Sequence, residues 1–484
     1  MGIQRHFGID FGTTNSSVVE YVTLNGRTHR RQHGDDEGRP MPSIVAIDKE
    51  TGEVFTGRDA WNKRSELAQT CECIQSVKSL LEVDGWSKFI AGRWWSAKDI
   101  AAEVFKSLRR NVSGSADEGP MESATVAVPI GFSRTKREAI RSAAREAGIE
   151  VESFVSEPTA AFFSNYDKLR GDGTVVIFDW GGGTLDVSVL RNSGGRITEL
   201  ATAGMPVAGD EIDDRLARKI HAKVARDKGL SVSFEEMPAS ARDMLLVRSE
   251  RAKRALSEDD DTVVSINRYG EIGAFRERVS YEWFEAIVEG IVDSAIECLD
   301  RAIAQSGETP ETVDRIVLVG GSSNIGPLLD KLDAKFGDRL FFPEATVWSI
   351  SRGAAQLSQN PGSYHSSQNV GLLLADGSYF PLLKEGDPIK GWSKSVDFGL
   401  VDTSKEMRVV FSGSPDIDGD AQSRQVVSVP SYRFLEEKLN MRAFVDDDSV
   451  FRVEMKSSMR KPSDAEFWEY DRLKLYYSLE ECGL

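Results

Sequence analysis

Short apolar runs alternate with amphipathic stretches over about the first 355 residues, the pattern of an α/β fold. Thr174-Val-Val-Ile-Phe178 and Ile316-Val-Leu-Val319 are rich in β-branched residues and end directly in glycine, so each predicts a strand that delivers a turn. Helices are predicted between such strands. Ser133 is placed to cap a helix whose apolar positions Ala139, Ile140, Ala143, Ala144 and Ala147 recur at helical spacing until Gly148 stops it. A longer stripe follows Ser280, with Phe284, Ile287, Val288, Ile291, Val292, Ala295, Ile296, Leu299 and Ile303 on one face, ending near Gly307.

The pattern changes at the polar stretch 359–369, which predicts a linker between a domain at 1–358 and a second at 370–484. Beyond it the alternation is strand-like: Phe451, Val453 and Met455 interleave with Arg452, Glu454 and Lys456, and Asp446-Asp447-Asp448-Ser449 supplies a hairpin turn. The second domain is therefore expected to be mainly β.

A weak internal duplication carries more information. Ile9-Asp10-Phe11-Gly12-Thr13-Thr14-Asn15-Ser16-Ser17-Val18-Val19 can be laid over Phe178-Asp179-Trp180-Gly181-Gly182-Gly183-Thr184-Leu185-Asp186-Val187-Ser188-Val189. Each reads as strand, aspartate, aromatic, glycine turn, small hydroxyl residue, strand. A repeat at this separation predicts two like-folded lobes facing each other across a cleft.

Composition narrows the chemistry. The balance of Lys+Arg 60 against Asp+Glu 77 gives a net charge of −17, which argues against non-specific binding to nucleic acid or anionic membranes. An anionic ligand would need a local site made largely of backbone amides. No apolar run is long enough to span a membrane and the N-terminus lacks a signal-peptide core, so a cytoplasmic location is the expectation. The four cysteines, Cys71, Cys73, Cys298 and Cys482, are too few for a disulfide framework, and the five histidines form no zinc-enzyme spacing.

A glycine turn between two strands leaves backbone N–H groups free to converge on anionic oxygens. Either turn alone also fits an ordinary hairpin. Together with a third at Val319-Gly320-Gly321-Ser322-Ser323, they point to a polyphosphate clamp, with Asp10 and Asp179 suited to holding Mg²⁺ through its waters.

Six segments, GIDFGTTNSSV (8–18), TVAVPIGF (125–132), SEPTAA (156–161), FDWGGGTLDVS (178–188), SERAKRALS (249–257) and VLVGGSS (317–323), resemble in order the motifs of the seventy-kilodalton heat-shock (DnaK-type) chaperones, members of the actin-like ATPase superfamily. The resemblance covers roughly residues 3–357 and implies a two-lobed ATPase domain followed by a small β-sandwich-like domain. It further implies ATP or ADP with Mg²⁺ as cofactors. Thr13, Thr14 and Asn15 after Gly12, and Gly181, Gly182, Gly183 and Thr184, would hold the β- and γ-phosphates. Asp10, Glu157, Asp179 and Asp186 match the acids around metal and water, with Asp10 and Asp179 as the metal pair, and Lys78 falls where the family's catalytic lysine lies.

Glu250, Lys253, Arg254 and Ser257 share one helical face. By the resemblance, Glu250 and Lys253 meet the ribose, Arg254 the base plane and Ser257 its edge. Gly209 and Asp210 occupy the place of the family's Gly-Gly-Glu, preceded here by Ala208, and Gly320, Gly321 and Ser322 form the adenosine turn. Pro129 and Arg137 match the interdomain switch residues, and Leu372 and Ala375 would lie near a peptide groove.

The chain departs from the family at three places. Asn324 stands where an arginine usually closes over the adenine, Glu344-Ala-Thr-Val-Trp-Ser-Ile-Ser-Arg-Gly353 replaces an acidic stretch, and the linker is polar rather than leucine-rich. After Lys456 too few residues remain for a helical lid, so a lidless domain is expected. The implied function is an ATP-hydrolysing chaperone or switch acting on a protein client, with co-chaperone and exchange factor as possible partners. A nucleotide-sensing adaptor with little turnover that recognises a dedicated folded partner is the alternative. A small-molecule kinase of the same superfold is a third, in which Asp186 would serve as base.

Overall fold

The computed structural model describes residues 3–478 except 36–37, 82, 113–118, 131, 170, 360–362, 400–405, 413–423, 431–435, 447–448, 460, 462–464 and 471–472. Cys482 and two residues of the acidic turn, Asp447 and Asp448, lie outside the described residues. The chain divides into two compact units. The first comprises 1–130, 139–191 and 200–359, and the second 360–484 with the short segments 131–138 and 192–199.

Two sheets organise the first unit. One is built from β1 (Gln4–Phe11), β2 (Asn15–Leu24), β3 (Arg27–His33), β4 (Ser123–Val128) and β5 (Glu150–Ser156), in the order β5-β4-β1-β2-β3. The other uses β6 (Gly173–Trp180), β7 (Leu185–Ser193), β8 (Arg196–Met205), β9 (Arg315–Val319) and β10 (Leu340–Phe341), in the order β10-β9-β6-β7-β8. In each lobe the first strand leads through a glycine turn into its neighbour, and pairs in parallel on its other side with the fourth strand. The duplication read from the two glycine segments is thus a duplication of whole lobes, with the same strand order.

Helix packing follows the predicted stripes. The helix Tyr281–Gln305 begins at Ser280, whose side chain accepts from the Trp283 N–H at 3.3 Å, and it buries Phe284, Ile287, Val288, Ile291, Val292, Ala295, Leu299 and Ile303. It also buries Cys298 and Ala302, whereas Ile296 is only partly covered. The helix Arg134–Glu146 buries Ile140, Ala143 and Ala144; Ala139 is half-buried and Ala147 lies just beyond its end.

The helix Ser349–Gln359 lies so close to the first sheet that a Cβ on Gly8 would sit 2.1 Å from the Ala355 nitrogen, and so close to the helix Glu157–Ser164 that one on Gly353 would sit 1.7 Å from the Ala160 carbonyl oxygen. Those two glycines are there to let backbones touch.

The second unit is a sandwich of two antiparallel four-stranded sheets. With β11 (Val370–Leu373), β12 (Tyr379–Leu383), β13 (Ser393–Gly399), β14 (Glu406–Ser412), β15 (Arg424–Pro430), β16 (Lys438–Val445), β17 (Phe451–Ser457) and β18 (Glu466–Tyr470), their orders are β12-β11-β14-β15 and β13-β16-β17-β18. Phe451, Val453 and Met455 point into a shared core with Phe411, Leu439 and Trp468, and Phe411 stacks on Trp468 at 3.8 Å. The stretch 359–369 is not uniformly irregular: Ser363–Ser366 is a strand paired antiparallel with Leu475–Ser478. Its polar composition reflects a short edge pairing rather than a free tether.

Candidate nucleotide site

The two glycine turns of the first unit meet across a cleft of about 440 Å³. Gly12 opens the first turn, where a Cβ would lie 2.1 Å from the Asn15 carbonyl oxygen, and Ser43 pins it by donating from Oγ to the Gly12 carbonyl at 2.9 Å. The second turn closes through the Gly181 N–H on the Thr184 carbonyl, 3.0 Å, the same spacing. Helix Gly209–Asp227 holds it from behind: Gly209 and Asp210 donate their N–H groups to the carbonyls of Gly181 and Gly182 at 3.2 and 2.8 Å. A Cβ on Gly182 would approach Thr14 Oγ1 to 2.5 Å, so the turns face each other at close range.

The third turn is tied to the second, with Ser322 Oγ donating to the Gly181 carbonyl at 2.7 Å. Gly320, at φ 80°, would press a Cβ within 2.4 Å of the Trp180 oxygen. Asn324 ends this turn and lines the cleft together with Gly321.

Below the turns lies a charged floor. Asp10 and Asp179 occupy equivalent positions near the ends of β1 and β6. Glu157 is the first residue of the helix Glu157–Ser164, which Ser156 caps by accepting from the Thr159 N–H at 3.3 Å, with Pro158 in the first turn. Lys78, on the one-turn helix Val77–Leu80 entered through left-handed Ser76, reaches Glu157 Oε1 at 2.5 Å.

Burial lifts the Asp10 carboxyl to about 7, helped by the charge of Glu157 and opposed by Lys78. Asp179 is pushed well above the ordinary carboxyl value, first by burial and then by Glu157, Asp186 and Asp10, and burial likewise raises Glu157 against the pull of Lys78. Burial works against the charge on Lys78, yet Glu157 and Asp10 outweigh it and raise the ammonium pKa.

A floor with four acids and one lysine is under-neutralised, which is the donor chemistry a divalent cation answers. Among the described residues no three acidic, histidine or cysteine side chains converge tightly enough to ligate one ion directly. Such donors would fit a divalent cation held through its own waters, and Asp10 and Asp179 are the carboxylates that would face it.

At the other side of the cleft, helix Ala239–Ala255 presents Glu250, Lys253 and Arg254, with Ser257 just past its end. Arg254 Nη2 donates to Glu250 Oε1 at 2.6 Å, so these two lie as one paired surface. Lys253 lines the cleft as the sequence expectation has it, and its ammonium also donates to Asp213 Oδ2 at 2.8 Å and to the Gly209 carbonyl at 3.0 Å. These bonds brace helix Ala239–Ala255 against helix Gly209–Asp227. Burial raises Asp213 to about 7 even with Lys253 beside it. Asp210 accepts from Thr14 Oγ1 at 3.4 Å, joining the lobes across the turns.

Pro129 lines a small cavity of about 30 Å³ with Glu157, Asp179 and Asp186. Arg137 lies on helix Arg134–Glu146, in the segment 131–138 that groups with the second unit, and does not line the cleft. The two proposed groove residues are not brought together: Leu372 is 3% exposed within the sandwich core, whereas Ala375 sits on an exposed turn. Strand alternation explains this, because Leu372 points inward from β11 and Ala375 follows after the strand has ended.

Cleft residues that the motifs did not announce include Arg39, Arg58, Asp213, Val347 and Ile350. Arg58 donates from Nε to Asp35 Oδ2 at 2.6 Å, and both arginines come from a loop and a helix start without periodic signal. Only Asp213 was open to inference, as an acid one helical turn beyond Gly209.

Two lobes of one strand order, closed on an acid-floored cleft between glycine turns, define a nucleotide-binding protein of the actin-like ATPase class. The family model for the Hsp70 protein matches residues 85–355, more than half of the 484-residue chain. The chain belongs to the Hsp70 family, whose members are ATP-binding chaperone ATPases. The match begins downstream of the first glycine turn and Lys78 and includes the second and third turns and the SERAKRALS helix.

Proposed function

We propose that the cleft binds ATP with Mg²⁺ and hydrolyses it slowly, and that nucleotide state sets how the C-terminal β unit engages a protein client. The observation that carries this reading is the opposition of two backbone-pinned glycine turns above the Lys78–Glu157 pair. The turns' amides bind and orient a triphosphate, Lys78 offsets charge that develops on the terminal phosphate, and Glu157 with Asp179 orients the attacking water. Mg²⁺, when bound, neutralises phosphate charge. Hydrolysis then needs no covalent intermediate, and the cleft supplies position and electrostatics.

A cytoplasmic location, a co-chaperone and an exchange factor belong to the same proposal. Among the described residues no helix is long and apolar enough to cross a membrane. The adaptor reading has one observation in its favour: the base side of the cleft ends in Asn324, so the grip on the base rests on Arg254 with one fewer cation. Titrating a fluorescent ATP analogue with and without Mg²⁺, then following release of an unstructured apolar peptide on ATP addition, separates the two. Mg²⁺-dependent binding with peptide release supports the switch, and binding without any peptide capture supports the adaptor.

A further inference from the structure

The last strand of the first sheet, β3, has the sequence Arg27-Thr28-His29-Arg30-Arg31-Gln32-His33 and is the most concentrated basic element in a chain of net charge −17. It follows a tight hairpin turn in which Asn25 and Gly26 both have positive φ, 52° and 75°. Along its inner edge it pairs with β2 from Val18–His33 to Leu24–Arg27, and among the described residues no strand pairs with its outer edge. Six of its seven residues are exposed. His33 is the half-buried member, and the buried Glu20 accepts from it at 2.8 Å and lies 3.9 Å from the exposed Arg31. Arg27, His29 and Arg30 are left facing solvent, and Leu24, 44% exposed, stands opposite Arg27 at the turn end.

An unpaired strand edge offers a row of N–H and C=O groups that a second strand can satisfy. Charge on such an edge discourages pairing with an identical edge, because like charges would lie opposite one another. The same charge selects an acidic strand. We propose that β3 is a docking edge for an extended, acidic segment of a protein partner, which adds to the sheet antiparallel or parallel to β3. Backbone pairing supplies the binding and Arg27 and Arg30 supply the selection. A nucleic acid meets only the charge, since it has no amides to complete the ladder, and the surrounding acidic surface repels it. This surface does not use the nucleotide cleft and holds whether or not the protein hydrolyses ATP.

The test is fluorescence anisotropy on the full chain with a labelled eight-residue peptide of alternating glutamate and valine. Three comparisons accompany it: the same peptide N-methylated on alternate amides, a lysine–valine peptide, and a single-stranded oligothymidylate. Saturable binding of the acidic peptide is expected, weakened at least about tenfold by N-methylation, by the double variant Arg27→Glu/Arg30→Glu, and by replacing glutamate with lysine. The substituted side chains are exposed, and an unchanged melting temperature confirms that the double variant folds. Equal binding of the N-methylated peptide, tighter binding of the oligonucleotide, or no binding of the acidic peptide overturns the proposal. So does a dimer, seen by sedimentation, that the double variant abolishes, since the edge would then serve self-pairing.

Discussion

At the scale of single residues the cleft is organised by carboxyls held out of their ordinary range. Burial, then Glu157, lifts Asp10 from 3.8 to about 7, and burial lifts Asp213 to the same level. A carboxyl that binds its proton more tightly when folded contributes stability that is complete below its unfolded pKa and is lost as pH rises through its folded pKa. The nucleotide-free protein is therefore expected to lose melting temperature between about pH 4 and about pH 7, and Asp10→Asn to flatten that fall. Thermal denaturation across that window checks both, and a melting temperature that climbs with pH would contradict them. Asn324 gives a second prediction. Asn324→Arg is expected to tighten binding of ATP by roughly 2–5-fold through a cation over the base while leaving inorganic triphosphate unaffected, measured by calorimetry.

At the scale of elements, the turns and helices work through close backbone approach. Gly182→Ala places a methyl against Thr14 and should force the two turns apart, weakening ATP more than about tenfold in equilibrium binding while leaving the fold intact. Gly353→Ala instead pushes the helix Ser349–Gln359 off the Ala160 carbonyl and should destabilise the protein by roughly 1–3 kcal/mol in urea denaturation.

Much of this was legible in the chain. The stripe after Ser280 predicted a core helix because large apolar residues carry the helical period, and Cys298 and Ala302 were missed because small side chains look the same on either face. The glycine turns were legible because glycine, aspartate and threonine at fixed spacing have few other uses. The Lys253–Asp213 pair was not legible, because the two residues are 40 apart in sequence and nothing local marks them as partners. Leu372 was misjudged because a strand residue's face depends on register with β14 and β12, which a single strand does not reveal.

At the scale of the whole molecule, the repeated strand order explains why an acidic protein can hold a polyanion. Each lobe brings one strand-end aspartate and one glycine turn to the same cleft, where a polyanion would be offered backbone amides and Lys78 rather than the surface charge. The second unit is a β-sandwich with its own core. If the cleft turns ATP over with Lys78 and the second glycine turn as working parts, single-turnover hydrolysis of ATP with Mg²⁺ reads it out for the native protein, Lys78→Ala and Thr184→Ala. Measurable hydrolysis is expected, falling by about 10²–10³-fold in each variant while ATP binding persists. Hydrolysis in the native protein no faster than in both variants, with ATP still bound, would contradict it.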